Sequence, residues 1–348
     1  MSYIIGLYKA ISKISNHDLI FVSNNSDYTY SVLGVKNASY ITYSSKNKFY
    51  RLLFEIPRII KNEKIDFAHF QYITPIIKNC KWIVSIHDVI PLDFRSFFNF
   101  SMYLKVHSLF RLSAKRSDII CSISEYSLGR IVKHFKITNN KIIITPIAVN
   151  KSVIAKSKVF EKPGVLDKNL LDSYRYIIYV SRIEPRKNQH IALKAFFDSG
   201  LYDKGYKFVF VGFRAADYSV FWDQLNALSE KCRDTIIFLE GVPDEELAIL
   251  YYYAKFSVYI SVAEGFGIPP IESIANNCPV IASNNTALAE LKSFITIYVD
   301  CANLSEVILA YRGLESMSGR VDDCISRKLN DKFTWGQSAK ILLNQMNI

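Results

Sequence analysis

The sequence predicts an α/β protein built from two doubly wound domains with parallel sheets. Short runs rich in β-branched and aromatic residues alternate with amphipathic segments in both halves, which is typical of βαβ units. A polar stretch near 150–173 shows no clear periodicity and divides the two halves. The chain of 348 residues is long enough for two domains of ordinary size. We therefore expect two Rossmann-like domains that face each other across a cleft.

Strand and helix patterns follow one another along the whole chain. Apolar runs predict strands at 19–22, 40–43, 67–70, 82–86, 119–122, 142–144, 176–180, 207–211, 235–239, 257–260, 279–282 and 295–299. Amphipathic spacing predicts helices at 50–61, 101–115, 125–136, 188–198, 219–231, 244–254, 270–276 and 303–314. The last segment, 333–343, is typical of a terminal helix with Thr334 as its N-cap. These patterns place the domains at 1–155 and 156–330, followed by a C-terminal helix at 331–348.

The composition excludes several classes of protein. Half of the residues are hydrophobic and 22% are charged, which indicates a folded chain rather than a disordered one. The six cysteines contain no C-x-x-C pair and the six histidines show no ligand spacing, so we expect neither a disulfide framework nor a metal site. No apolar run has the length of a membrane-spanning helix, and the N-terminus lacks the layout of a signal peptide. We expect a cytoplasmic protein, either soluble or peripheral on the inner face of the membrane.

The positive charge is concentrated in the first half of the chain. Residues 1–150 hold 20 Lys and Arg against 9 Asp and Glu, whereas the rest holds 23 of each. A solvated basic face is one interpretation, and an electrostatic dock for an anionic membrane surface is another. Nucleic acid is the third, but no RNP, zinc-finger or helix-turn-helix signature supports it. Nucleic acid is therefore not among the expected partners.

A loop bounded by two acids carries the most informative pattern in the chain. Glu264 and Glu272 are separated by seven residues and lie between an apolar strand and a helix that two prolines open. Glycine leaves room for a ligand beside the backbone, and the N–H groups at a helix start bind anions. The residues that follow the first acid are Gly265, Phe266, Gly267 and Ile268. This arrangement suits a phosphate-bearing ligand whose hydroxyl groups lie near the carboxylates, not a paired acid–base dyad.

Basic residues follow another predicted strand of the second half. Arg182 and Lys187 come after 176–180, at the edge of the sheet where open α/β folds bind ligands. A diphosphate needs such cations, and Arg offers a bidentate fork. A basic loop that serves only solubility is the alternative. The acidic loop in the same predicted domain favours the ligand-binding interpretation.

Two further turns are candidates for substrate contacts. His87 ends the strand at 82–86, where it could bind a sugar hydroxyl or serve only as a structural residue. Gly241 and Val242 follow the strand at 235–239 and could line a pocket for a base. Asp244 is the expected N-cap of the next helix.

Together these motifs resemble a retaining glycosyltransferase of the GT-B fold, family 4, the group that includes bacterial mannosyltransferases of cell-surface polysaccharide synthesis. The resemblance extends from about residue 80 to the C-terminus, and the segments after 176–180, 235–239 and 257–260 occur in the family's order. It implies a terminal helix that crosses back to the first domain. Such enzymes begin with a strand and a Gly-rich loop, and residues 3–10 resemble that loop passing into its helix, with the first strand apparently missing.

The resemblance also implies roles for the candidate residues. Glu264 would contact the hydroxyls of the transferred sugar, and the backbone N–H groups of 265–268 would hold the sugar and the β-phosphate. Arg182 and Lys187 would neutralise the diphosphate, whose charge grows as it leaves. Glu272 would bind the ribose hydroxyls, with Gly241 and Val242 near the base, and His87 would touch the sugar. No metal or other cofactor is required.

The expected function is therefore transfer of a hexose from a nucleotide diphosphate sugar, such as GDP-mannose. The acceptor would be a saccharide, lipid-linked in O-antigen or capsule synthesis, which agrees with the basic first half. The alternative is a catalytically impaired GT-B subunit that binds a nucleotide sugar within a polysaccharide-assembly complex. An epimerase or a phosphorylase of the same fold suits the motifs less well.

Overall fold

The computed structural model divides into two compact units. The first comprises Met1–Ala148 and Phe333–Ile348, and the second comprises Val149–Lys332. The structure describes residues 2–154, 164–214 and 218–346. Part of the predicted linker, 155–163, lies outside the described residues. The predicted alternation of strands and helices is confirmed in both units.

Within the described residues the chain forms three parallel sheets. The strands are β1 Leu19–Ser23, β2 Ala38–Thr42, β3 Phe67–Gln71, β4 Lys81–Ser85, β5 Ile119–Ser122, β6 Ile142–Ile144, β7 Tyr176–Val180, β8 Lys207–Val211, β9 Ile236–Leu239, β10 Ser257–Tyr259, β11 Val280–Ser283 and β12 Ile297–Val299. The first unit holds a ladder of β1 and β2 and a sheet in the order β3-β4-β5-β6. The second unit holds a sheet in the order β12-β11-β10-β7-β8-β9. The predicted doubly wound architecture is therefore present.

Helices connect most of these strands. They are α1 Ser2–Ile14, α2 Ser26–Leu33, α3 Lys48–Tyr50, α4 Ile56–Asn62, α5 Ile90–Asp93, α6 Phe100–Lys105, α7 Arg111–Arg116, α8 Glu125–Phe135, α9 Gly164–Lys168, α10 Gln189–Asp198, α11 Ser219–Asn226, α12 Glu230–Arg233, α13 Asp244–Tyr253, α14 Ile268–Ala275, α15 Leu304–Ser316, α16 Asp323–Lys332 and α17 Trp335–Gln345. One π-helical turn, Arg51–Glu55, joins α3 to α4, and another, Val106–Phe110, joins α6 to α7. The two predicted helices near 50–61 and 101–115 are therefore continuous helical stretches.

The first unit differs from the prediction at its start. The loop expected within 3–10 is helical, because α1 begins at Ser2. Gly6 lies inside α1 and lets Trp335 of α17 approach closely: a Cβ added at Gly6 would lie 2.1 Å from the Trp335 ring. The hydroxyl of Tyr3 bonds the Thr145 hydroxyl at 2.5 Å. The glycine that suggested a ligand loop therefore serves helix packing. At the other end, Thr334 caps α17 as predicted, because its side chain accepts from the backbone N–H of Gln337 at 3.2 Å.

The sheet of the second unit has a topological switch point. The chain leaves β7 toward β8 and β9 on one side, and later returns to β10, β11 and β12 on the other side. In open parallel sheets the loops at the carboxyl ends of such strands diverge and leave a crevice that binds ligands. The loops after β7 and β10 therefore meet at the carboxyl edge. These are the two loops that carry the predicted basic and acidic residues.

Candidate active site

The loops after β7 and β10 are tied together by backbone and side-chain bonds. The N–H of Val262 donates to the carbonyl of Arg186 at 2.9 Å, and the Tyr179 hydroxyl in β7 donates to the carbonyl of Lys187. Asn188 adopts a left-handed backbone, φ 60°, and its side-chain amide donates to the Cys301 carbonyl at 2.6 Å. The short turn after β7 is thereby fixed against the neighbouring loops before α10 begins.

Lys187 and Glu264 form a buried ion pair at this edge. The Lys187 ammonium lies 2.5 Å from Glu264 Oε1 and donates to the Tyr259 hydroxyl at 3.0 Å. The two side chains are only 10% exposed each. An ammonium has three donors, so one of them remains for a further acceptor. Two of the predicted site residues, distant in sequence, are thus brought into direct contact.

Charge and burial oppose each other in this pair. Burial would raise the pKa of Glu264, but the positive charges of Lys187 and Arg186 more than offset it, so the pKa lies below its ordinary value. Burial lowers the pKa of Lys187, and the Glu264 charge opposes that decrease. Glu264 is therefore held as a carboxylate next to two cations.

Arg186 is a site residue that the sequence interpretation missed. Its guanidinium lies 3.1 Å from Glu264 Oε1, donates to the Ala263 carbonyl and donates to Glu184 Oε1 at 2.7 Å. These partners hold the Glu264 carboxylate and the backbone before it in place. The three basic residues within 182–187 look alike in sequence, and only the path of the chain separates their roles.

Arg182 occupies a different position from Lys187. It follows the end of β7, its side chain is exposed, and among the described residues the guanidinium has no bonded partner. The structure does not bring it into contact with Glu264. Its backbone carbonyl accepts from the Gln189 side chain at 2.9 Å, which fixes the backbone position. Arg182 is therefore an exposed cation at the carboxyl edge.

A close backbone approach shapes the same edge beside β8. Gly212 has φ +140°, and a Cβ there would lie 2.2 Å from the Ser181 carbonyl oxygen. Only glycine allows this approach. The sequence interpretation did not select Gly212, because a single glycine after a strand carries no distinctive pattern.

The loop after Glu264 leads into α14 through a strained glycine. Gly267 is the N-cap of α14 with φ +117°, and Ile268 is the first helical residue. Pro269 and Pro270 lack N–H groups, so they contribute no donors to the helix start. Among the described residues the N–H groups of Gly267 and Ile268 have no acceptor.

Glu272 lies within α14 and is only 9% exposed. Burial raises its pKa to about 8, the nearby charge of Asp244 adds to the increase, and the Tyr251 hydroxyl opposes it. At neutral pH the group is therefore held mostly as a carboxylic acid, which can both donate and accept hydrogen bonds.

The turn between β9 and α13 contains Gly241 and Val242, the two residues that the sequence places near the base. Gly241 is exposed with φ +65°, and Val242 is half-buried. Asp244 is not the N-cap of α13, because Pro243 occupies that position. The Asp244 carboxylate instead accepts from Asn150 Nδ2 and the Ser152 hydroxyl, both at 2.6 Å.

His87 belongs to the first unit, directly beyond β4. Its ring packs edge-on against Tyr3 and Tyr72, with centroid distances of 4.7 and 5.3 Å. Burial lowers its pKa to about 4, so the imidazole is neutral at physiological pH. Its Nε2 is buried without a hydrogen-bond partner among the described residues. An unpartnered buried nitrogen is a polar group that a ligand could satisfy.

The described residues contain no group of three or more His, Cys, Asp or Glu side chains placed to hold a metal ion. None of their helices combines the length and the apolar character needed to cross a membrane.

Solved structures with the same architecture include GT-B glycosyltransferases. The chain superposes on Anabaena Alr3699/HepE, whose crystal structure contains UDP and glucose, with a TM-score of 0.74. The match covers 99% of this chain and 95% of HepE at 11% identity. A glycosyltransferase from Rickettsia africae gives a TM-score of 0.72 over 97% of this chain and 92% of that protein, at 17% identity. The fold is therefore GT-B.

Family models and sequence relatives also point to glycosyltransferases. The model of Glycosyltransferase Family 4 matches residues 3–153, and that of Glycosyl transferases group 1 matches residues 166–292. O-antigen chain mannosyltransferase RfbU of Salmonella typhimurium is 28% identical over 253 residues, which are 73% of this chain and 64% of RfbU. O-antigen chain mannosyltransferase B of Escherichia coli is 31% identical over 180 residues, 51% of this chain and 46% of that protein. The chain thus spans less than two thirds of the length of these relatives. Over both matched ranges it is similar to family 4 and group 1 glycosyltransferases, and the two relatives are bacterial mannosyltransferases.

Proposed function

We propose that this protein transfers a hexose, mannose, from a nucleotide diphosphate sugar to a saccharide acceptor with retention of the anomeric configuration. The observation that carries the proposal is the Lys187–Glu264 pair at the switch point of the sheet, beside the amide-bearing turn before α14. The names of the relatives, both O-antigen mannosyltransferases, favour mannose and polysaccharide synthesis, of O-antigen or capsule.

In this proposal the cations bind the diphosphate of the donor. The bond from the anomeric carbon to the diphosphate breaks, a bond to an acceptor hydroxyl forms, and the nucleoside diphosphate and a proton are released. The phosphate oxygens would accept from the third donor of Lys187, from the exposed guanidinium of Arg182 and from the amides of Gly267 and Ile268. Their attraction grows as the leaving group gains charge, which lowers the barrier. The reaction as proposed uses these groups and no metal ion.

The two acidic side chains bind the uncharged parts of the donor. Glu264, held by two cations, faces the sugar hydroxyls and the developing positive charge at the anomeric carbon. Glu272 binds the ribose hydroxyls, with Gly241 and Val242 beside the base. His87 of the first unit offers its unpartnered Nε2 to a substrate hydroxyl.

The acceptor in this proposal is attached to a membrane lipid, and the protein works at the inner face of the membrane. The basic first half and the exposed apolar side chains of α6 and α7 support this location. The proposal of a lipid-linked acceptor is separate from that of the donor and is tested separately.

The direct test is to incubate the purified chain with GDP-mannose and with UDP-hexoses, each with and without saccharide acceptors. We expect GDP-mannose to be hydrolysed or its mannose transferred, with the same rate in excess chelator. Glu264→Ala and Arg182→Ala should lower turnover at least about 100-fold, the scale of losing one preorganised charge in a transition state. Matched controls are Glu245→Gln and Arg233→Ala, since both side chains are exposed and Arg233 lies in α12, at the amino end of β9.

Two outcomes would contradict the proposed function. Wild-type turnover in both Glu264→Ala and Arg182→Ala would contradict the assignment of the site. Nucleotide-sugar binding by calorimetry without turnover on any acceptor would favour the non-catalytic subunit instead.

A further inference from the structure

The turn that carries Glu264 is held from a second side by the loop after β11. The backbone N–H of Glu264 donates to the Thr286 hydroxyl at 3.0 Å, and the Glu264 carbonyl accepts from the N–H of Ala287 at 3.4 Å. The loop after β7 holds the same turn through Arg186. Glu264 is thus fixed at its carboxylate by the basic turn and at its backbone by residues 286 and 287.

Two neighbours of Thr286 extend this attachment to the end of β10. The Asn285 amide donates to the Ser261 carbonyl at 3.2 Å, and the Ser283 hydroxyl donates to the same carbonyl at 2.7 Å. The Thr286 hydroxyl donates its own proton to Asn285 Oδ1 at 3.2 Å. This hydroxyl therefore uses its donor on Asn285 and an acceptor lone pair on Glu264.

The backbone of Thr286 has a conformation that disfavours threonine. Its φ is +46°, in the left-handed region, and among the described residues with positive φ it is the only one with a β-branched side chain. Such a φ is a steric outlier for a β-branched residue and costs free energy, whereas glycine adopts it readily. Backbone strain of this kind persists where the surrounding structure requires it, and it is concentrated at functional sites.

The strain and the hydrogen bond place opposite requirements on position 286. Glycine would relieve the backbone, but it has no hydroxyl, and the Glu264 N–H would then lose its acceptor. A residue that only formed the turn would be most stable as glycine. What threonine supplies at this position, and glycine does not, is the oxygen that holds the backbone of Glu264.

We propose that Thr286 is a positioning residue for glycosyl transfer, because its hydroxyl fixes the backbone of Glu264 and thereby the direction of the carboxylate toward the donor sugar. This inference rests on the proposed function, in which Glu264 faces the positive charge that develops at the anomeric carbon. That charge is present in the transition state and absent from the bound donor. A displaced Glu264 should therefore lower kcat, with little change in the KM for the donor.

Three substitutions at position 286 separate the hydroxyl from the strain. Thr286→Val keeps the branched shape and removes the hydroxyl, Thr286→Gly removes both, and Thr286→Ser keeps the hydroxyl without the branch. With GDP-mannose as donor, the valine and glycine variants should lower kcat at least about tenfold, the scale of a displaced catalytic group, and the serine variant should retain the wild-type kcat. The urea midpoint should be higher for Thr286→Gly than for Thr286→Val, because only glycine relieves the backbone.

Hydrogen–deuterium exchange at the Glu264 amide measures the same bond without any turnover. Exchange should be slow in the wild type and in Thr286→Ser, and at least about tenfold faster in Thr286→Val and Thr286→Gly, because the amide has lost its acceptor. Leu170→Gly is the matched control. Leu170 also has a left-handed backbone, with φ +52°, and its side chain is 76% exposed after α9. This variant should leave both kcat and the Glu264 exchange rate unchanged.

The possible outcomes distinguish this inference from the proposed function. Wild-type kcat in Thr286→Val, or a kcat in Thr286→Ser as low as that of Thr286→Gly, would overturn the role of Thr286. Equal exchange at the Glu264 amide in the wild type and all three variants would overturn it as well. Absence of turnover in the wild type would contradict the proposed function alone, and the exchange rates would then decide whether Thr286 holds Glu264.

Discussion

The ion pair of Lys187 and Glu264 places charge where water is largely excluded. Removing one partner leaves the other buried, and that costs roughly 3–5 kcal/mol in proteins. We expect Glu264→Gln to lower the free energy of unfolding more than Lys187→Met, because it leaves the buried charge of Lys187 unopposed and also removes one of the two carboxylates that Arg186 contacts. The double variant should lose less free energy of unfolding than the two single variants lose together. The difference, which is the coupling energy, should be about 1 kcal/mol or more.

Urea denaturation of the wild type, the two single variants and the double variant measures that coupling energy. Glu245→Gln is the control for loss of a carboxylate, since Glu245 is exposed in the first turn of α13, and it should change stability by less than about 0.5 kcal/mol. Strict additivity of the two site variants would mean that the pair contributes nothing to folding.

Glu272 makes the stability of the second unit depend on pH. Its pKa is about 8 in the folded protein and near the ordinary 4.5 when the chain unfolds. Between these values the unfolded chain releases a proton that the folded chain retains, so the stability of the protein falls as pH rises through this interval. Glu272→Gln removes this dependence. Its stability relative to the wild type should grow from pH 5 to pH 8, by roughly 3–5 kcal/mol, and then level off.

Thermal and urea unfolding at pH 5, 6.5, 8 and 9 test this expectation. Glu245→Gln, exposed on α13, should follow the wild-type profile at every pH. A difference between Glu272→Gln and the wild type that shrinks as pH rises would contradict a raised pKa at Glu272.

At the scale of elements, the packing of α1 against α17 depends on the absence of a side chain at Gly6. A Cβ at that position would overlap the Trp335 ring, which also packs against Tyr3 at 5.6 Å. Gly129 lies inside α8, is exposed, and has nothing within 4 Å of an added Cβ. We expect Gly6→Ala to destabilise the protein by about 1–3 kcal/mol through overpacking. Gly129→Ala should stabilise it by about 0.5–1 kcal/mol through helix propensity.

Midpoints of urea unfolding compare these two alanine variants directly. The same substitution in two helix interiors should thus change stability with opposite signs. Stabilisation in both would show that α17 does not pack closely on α1.

The elements that sequence predicts well are those with strong apolar patterns. Each of the twelve strands in the described residues lies within about two residues of its predicted position, because parallel strands are continuous apolar runs. The sequence analysis missed α2, α5, α9 and α16, which are short or largely polar: Tyr28 and Tyr30 of α2, for example, are exposed. The start of α2 is set by a cap, in which the Asn25 side chain accepts from the Tyr28 N–H at 2.9 Å, and a hydrophobic period does not reveal such a cap.

The candidate site also contains some residues that the sequence predicts and others that it does not. Glycine, proline and carboxylate at one strand-to-helix turn identified Glu264, and the basic turn identified Lys187. The role of Arg186 and the close approach at Gly212 depend on how two loops distant in sequence pack together, and no local pattern contains that information. Arg182 and Lys187 looked equivalent in sequence, but one is exposed and the other is buried in an ion pair.

At the scale of the whole molecule, charge and exposed apolar side chains coincide in the first unit. The first 150 residues hold all of the net charge of +11. The stretch from α6 to α7 exposes Phe100, Leu104 and Leu109 at 59%, 45% and 45%, next to the exposed Lys105 and Lys115. Amphipathic helices with this composition lie in the interface of anionic bilayers. Each Lys near such a surface adds about 1 kcal/mol of attraction.

We therefore expect the protein to sediment with vesicles that contain phosphatidylglycerol and not with vesicles of phosphatidylcholine alone. Binding should weaken as salt rises from 0.1 M to 0.5 M, because screening shortens the reach of the lysine charges. Replacing Phe100, Leu104 and Leu109 together by serine should weaken binding at least about tenfold, since it removes the apolar area that enters the bilayer. Leu309→Ser is the matched control, because Leu309 is 65% exposed on α15 of the second unit. Equal binding to both kinds of vesicle, or an equal loss with Leu309→Ser, would show that this stretch is an ordinary solvated surface and that any lipid-linked acceptor must reach the protein by another route.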